Sequence, residues 1–142
     1  MVISRVLFPV CAAAVLASLL GGGTAFGDAA PMPYTLDIGA PTAQKGKPTT
    51  VKIKVLPAKS YHMNKEFPTS LTLTPPAGIT VAKQKLAGAD VKVEEAAIEF
   101  NVEFTPSQPG TKEIPGDLKF AICNADSCIP QKIKIGIQTT TK

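Results

Sequence analysis

Apolar and polar residues alternate with a period of two along most of this chain. Val51, Ile53 and Val55 interleave with Lys52 and Lys54, and Leu71 and Leu73 with threonines. Ile98, Phe100, Val102 and Phe104 interleave with Glu99, Asn101 and Glu103. Leu118, Phe120 and Ile122 alternate with Lys119 and Ala121; Ile133, Ile135 and Ile137 alternate with Lys132 and Lys134. This pattern predicts strands with one buried face. Shorter candidates at Tyr34–Ile38, Ile79–Gln84 and Val91–Val93 bring the total to seven or eight.

Turn formers fill the gaps: Gly46-Lys47-Pro48, Pro75-Pro76-Ala77-Gly78, Ala87-Gly88-Ala89-Asp90, Pro106 to Gly110, and Pro115-Gly116-Asp117. No segment carries the apolar period of a long helix, and 13 prolines argue against helices. The expected fold is all-β, an immunoglobulin-like antiparallel sandwich. There is no Trp, so the Cys…Trp…Cys core of antibody domains is absent and the likeness is one of architecture.

The alternation fails at both ends. Residues 1–27 read as a cleaved secretory signal: Arg5 near the start, an apolar run from Val6 to Leu20, a Gly21-Gly22-Gly23 break, and Ala25 and Gly27 before a cut at Asp28. The run is short for a membrane span, which needs ~20 residues. The expected mature chain, 28–142, is one exported domain without a span, periplasmic first and extracellular second. Asp28–Pro33 and Thr139–Lys142 are expected to be loose ends.

Charge narrows the classes. The whole chain is mildly basic, +4, with lysines spaced along strands and Arg5 its sole arginine. A nucleic-acid surface is excluded on that pattern. One histidine, His62, rules out a histidine-based copper set and a recognisable serine hydrolase site. No cofactor, metal or oligomer is expected.

Cysteines carry the candidate chemistry. Cys11 lies in the leader, leaving Cys123 and Cys128 for an oxidising compartment. With Asn124–Ser127 as a hairpin loop, the two face each other, Ile122 pairs with Ile129, Phe120 with Gln131, and Leu118 with Ile133. That register places Leu118, Phe120, Ile122, Ile129 and Ile133 on the buried face. The cysteines fall on the outer face with Lys119, Ala121, Lys132 and Lys134. Closing so short a loop stabilises by only about 2 kcal/mol in the chain-entropy model, which is little for a staple. Exposed bridges tend to be the exchangeable ones, and nearby lysines would favour thiolate. Spacing alone leaves a structural bridge and a redox centre both open.

The stretch Lys119-Phe-Ala-Ile-Cys-Asn-Ala-Asp-Ser-Cys-Ile-Pro-Gln-Lys132 resembles the active-site hairpin of the N-terminal periplasmic domain of DsbD-type thiol–disulfide interchange proteins. Phe120, Cys123, Cys128, Ile129 and Pro130 match its order. Upstream, Tyr61-His62-Met63-Asn64 resembles an aromatic-His-aliphatic-Asn segment of that family, with Phe67-Pro68 following. Departures are Gln131 after Pro130 and a shorter loop between the cysteines. The resemblance implies an immunoglobulin-like fold and a dithiol–disulfide couple at Cys123 and Cys128. It also implies mixed disulfides with thioredoxin-like proteins, and a cap segment over the sulfurs. Tyr61, His62, Glu66 and Phe67 are the candidates for that cap, with Phe120 and Pro130 supporting. The sequence carries no counterpart of the family's membrane and thioredoxin-like domains after the hairpin, so reductant and client are expected to be separate proteins. The competing reading is a non-enzymatic immunoglobulin-like binding module of the cell envelope with a structural disulfide; whether the chain is an enzyme stays open.

Overall fold

The computed structural model describes residues 32–142. The expected leader, its cleavage point and Cys11 lie outside the described residues. Eleven strands follow in order: β1 (Tyr34–Ile38), β2 (Thr42–Ala43), β3 (Thr49–Pro57), β4 (His62–Met63), β5 (Ser70–Leu73), β6 (Ile79–Val81), β7 (Lys85–Ala87), β8 (Val91–Glu94), β9 (Ala97–Pro106), β10 (Gly110–Cys123) and β11 (Cys128–Thr141). Every segment expected from the alternation carries a strand; β2, β4 and β7 are additions. A single 3-10 turn, Gly88–Asp90, leads from β7 to β8. Among the described residues no helix is long and apolar enough to cross a membrane.

The strands form two sheets. One runs β1-β3-β9, with β6 and β8 on the far edge of β9; the other runs β2-β11-β10-β5-β7, with β4 also on β10. This is an antiparallel β-sandwich of immunoglobulin-like type, its order close to the ABED and GFC sheets of that architecture. The period-two residues meet in the middle: Ile53, Val55, Ile98 and Phe100 from one sheet, Leu71, Ile114, Leu118, Phe120 and Ile137 from the other, all fully buried. Phe120 meets Tyr34 edge to face, with ring centroids 5.0 Å apart.

Two expectations fail for identifiable reasons. Pro115-Gly116-Asp117 is not a turn: β10 runs straight through it, pairing Pro115 with Gly136. Pro115 lies just beyond the last β5 pair, and its carbonyl accepts the Thr74 N–H at 2.8 Å. The N–H that proline lacks would point to that same side, at the very end of the β5 ladder, so no bond to β11 is lost and the pairing with β5 simply stops there. Gly116 is small because the core is close. A Cβ there would sit 3.1 Å from Leu71, 3.2 Å from Leu73 and 3.3 Å from Ile135.

The C-terminal tail is not loose either. β11 continues to Thr141 and pairs in parallel with β2, Thr140 opposite Thr42 and Thr141 opposite Ala43. Thr139 is only 1% exposed, and its hydroxyl donates to the Pro41 carbonyl at 3.3 Å. A run of threonines looks polar, but its β-branched side chains suit a pleated, half-buried surface.

Candidate functional site

The β10–β11 hairpin places the cysteines. Its register continues unbroken from Gly110↔Thr141 to Cys123↔Cys128, as the sequence predicts for Leu118↔Ile133, Phe120↔Gln131 and Ile122↔Ile129. The loop is tied by one side chain. Asn124 Oδ1 accepts the N–H of Asp126 at 2.9 Å and of Ser127 at 2.8 Å, while the Asn124 N–H donates to the Ser127 carbonyl at 2.9 Å. That bond just outside the cysteines makes them a closely spaced, non-hydrogen-bonded pair. They are joined as a disulfide with Cα atoms 3.9 Å apart.

The two sulfur-bearing residues have unequal surroundings. Cys128 is exposed, whereas Cys123 is only 4% exposed. This corrects the expectation that both lie on an open outer face. Cys123 sits on a strand with neighbours on both sides, β11 on one and β4 on the other, and so small a side chain is covered by them. Ile129 errs in the opposite direction: expected in the core, it is 38% exposed. It lies on a strand with no neighbour on its far side at that level.

The element covering Cys123 is the Tyr61-His62-Met63-Asn64 segment. The chain enters it through Ser60, whose φ of 74° is left-handed, in a turn closed by the Tyr61 N–H on the Ala58 carbonyl at 3.0 Å. His62 then pairs with Cys123 and Met63 with Ile122. The Met63 N–H donates to the Glu95 carbonyl at 2.9 Å, and the Asn64 N–H to the Ala121 carbonyl at 3.0 Å. Lys65 adds an exposed ion pair to Glu95 at 3.3 Å. The two stretches that carry the family resemblance, distant in sequence, thus lie side by side.

The remaining predicted residues divide. Met63 is buried and His62 exposed, as successive strand residues point to opposite faces. Tyr61 packs against the core, half-buried, and Phe120 lies beneath the tip, fully buried. Pro130 is exposed, opposite Ala121. Glu66 is exposed and donates its backbone N–H to Asn64 Oδ1 at 2.9 Å. Phe67 lines an open groove of about 750 Å³ with Lys65, Lys85, Val91 and Lys119.

The residue that reaches the disulfide is one the sequence reading left unassigned. Asn64 Nδ2 lies 3.9 Å from Cys128 Sγ, a weak donor contact, while its Oδ1 is occupied by Glu66. Its place at the end of the resemblance segment was the only signal for it. The lysines contribute less than expected. Lys119 and Lys132 stand opposite each other, each four positions from its cysteine. That is about 13 Å along a strand, beyond the ~8–10 Å over which exposed charges act at physiological salt.

No protein-family model and no curated protein matches this chain. Several solved structures are similar at a low level. AggA, the major subunit of aggregative adherence fimbriae type I from Escherichia coli, is 12% identical with a TM-score of 0.41, over 78% of this chain and 95% of that one. A PapD-like domain of human CEP192 is 10% identical with a TM-score of 0.39, over 94% and 98%. Domains 4 and 5 of the S-layer protein SbsC are 10% identical with a TM-score of 0.36, over 75% and 50%. Likenesses this loose carry no functional inference, and the site must be read from its own chemistry.

Proposed function

We propose that this domain is an exported thiol–disulfide exchange module of the kind found at the N-terminus of DsbD-type proteins, passing electron pairs through Cys123 and Cys128 to and from thioredoxin-like dithiol proteins. The observation that carries the reading is the inequality of the two cysteines within one short loop. Exchange needs one sulfur open to an incoming thiolate and a second that leaves and later returns. Cys128 is open at the tip, and Cys123 is held beneath β4.

In the reducing direction, a partner thiolate attacks Cys128 Sγ. A partner–Cys128 bond forms, the Cys128–Cys123 bond breaks, and Cys123 departs as thiolate. Burial disfavours that thiolate, so it takes up a proton or returns to Cys128 and expels the partner. When the partner's second thiol attacks its own bridged sulfur instead, the partner leaves oxidised and the domain holds two thiols. The reverse sequence passes the electron pair onward.

The test is the reduction potential together with trapping. A value of roughly −180 to −270 mV is expected for an exchanging couple. Cys123→Ala, which keeps the open sulfur, should accumulate a mixed disulfide with a thioredoxin-like protein, and Cys128→Ala should accumulate far less. A potential below about −300 mV, with no trapped species, would replace this reading by the binding module with a structural bridge.

A further inference from the structure

β11 ends its sheet over most of its length. Its inner side pairs with β10 throughout, while on its outer side only Thr140 and Thr141 pair with another strand, β2, among the described residues. The Thr140 N–H donates outward to the Pro41 carbonyl. Backbone groups alternate in direction along a strand. The outward-directed residues are therefore the even-numbered ones: Cys128, Pro130, Lys132, Lys134, Gly136 and Gln138. Pro130 has no N–H to offer, which leaves the run Lys132 to Gln138 with paired donors and acceptors facing solvent, two residues beyond Pro130 from the open cysteine.

We infer that this edge accepts an extended, acidic segment of a partner protein as an additional strand. Main-chain pairing along an open edge gives such an interaction its affinity and the flanking side chains give it selectivity. Lys132 and Lys134 are both exposed and form no ion pair among the described residues. Lys119 stands opposite Lys132 and Asp117 opposite Lys134, while the Glu113 carboxylate lies over Gly136, held by the Gln138 amide, so the positions open to an incoming carboxylate are those beside Lys132 and Lys134. An added strand brings its side chains next to the two lysines, where carboxylates are favoured and cations opposed. The same charges disfavour a second copy of this chain, because antiparallel edge-to-edge pairing would set lysine against lysine; edge lysines and prolines deter that association. Ile129, exposed beside Cys128, adds an apolar contact for a residue of the incoming segment.

The binding is independent of electron transfer, so it is tested on the oxidised protein with no thiol present. The probe is a peptide of about eight residues, an ordinary strand length, alternating Glu and Thr, with a Lys/Thr peptide as its comparison. The Glu/Thr peptide should slow amide exchange at Lys132, Lys134, Gly136 and Gln138, while the Lys/Thr peptide leaves them unchanged. Reversing two cross-strand charge pairs in Lys132→Glu/Lys134→Glu should weaken binding about tenfold or more. Lys134→Pro, which removes one outward N–H and leaves the β10 ladder intact, should weaken it while preserving the parent's melting transition. Equal binding of both peptides, or protection at Lys65 and Lys85 in the groove instead, overturns the proposal. So does protection of the same amides without peptide that grows with protein concentration, which would identify a second copy as the occupant. A failed trapping experiment alongside positive peptide binding removes the exchange reading and leaves this one standing.

Discussion

β10 and β11 are joined by one loop and paired residue for residue, yet they inhabit different surroundings. β10 has β11 on one flank and β4 and β5 on the other, and from Phe120 to Cys123 every residue is buried. β11 has β10 on one flank and open solvent on most of the other, and from Cys128 to Pro130 every residue is exposed. Two cysteines chemically alike therefore differ in reach because of what lies beside their strands. The lesson is that a hairpin gives a disulfide its geometry, while the element placed beside one strand gives it a direction.

That contrast is easiest to break at Phe120. Truncating this fully buried ring in Phe120→Ala should cost about 3–5 kcal/mol, read from denaturant midpoints. Gln131→Ala, at the register position facing it, should stay within ~0.5 kcal/mol. Similar losses at both would mean the two flanks are not as unequal as described. Met63→Ala comes next, at about 2–5 kcal/mol, and sharpens the comparison chemically. In the reduced parent, alkylation should be much faster at Cys128 than at Cys123. Met63 anchors β4 in the core from the face opposite Cys123, so its loss should loosen β4 against β10 and narrow that ratio; an unchanged ratio would show that something else shields Cys123.

Replacing the bridge in Cys123→Ala/Cys128→Ala should cost only about 2 kcal/mol, as a loop this short allows. A loss twice that size would mark the disulfide as a structural clamp of the tip. The smallest effect is expected in the other sheet. Glu99 receives the Lys54 ammonium at 2.9 Å, with Lys52 at 3.6 Å, which holds its carboxyl below the usual carboxylate range. A lowered folded-state pKa stabilises above the unfolded value, and that gain is lost as pH falls through the folded one. Glu99→Gln should therefore lower the midpoint slightly at neutral pH and converge with the parent in acid. A deficit that persists in acid would point to packing, since charge would then be gone.

How much of this was legible in the sequence depended on how many neighbours each strand acquired. Where a strand buries one face, as in β3 and β9, alternation names the core residues directly, and the hairpin register follows from the loop between the cysteines. At the tip a third element intervenes. Nothing local to Cys123 says that His62 and Met63, two residues without a strong strand pattern, will pair beside it. Asn64 was overlooked for the same reason: its contact with Cys128 spans the fold. Pro115 and the terminal threonines misled because their residue types speak of turns and solvent, whereas their places in the ladder answer to β5 and β2.

If the pair exchanges as proposed, the Asn124 side chain, which holds the loop through its own hydrogen bonds, would set how long a bridge to a second protein survives. Those bonds do not involve the sulfurs, so they would keep Cys123 opposite Cys128 once the disulfide opened. The freed sulfur then acts as a tethered reagent at high effective concentration. It would outcompete reagents in free solution for the bond at Cys128, so a covalent encounter with another protein would be brief and self-terminating. Loosening the loop at Asn124 would lengthen that encounter while leaving both sulfurs in the chain.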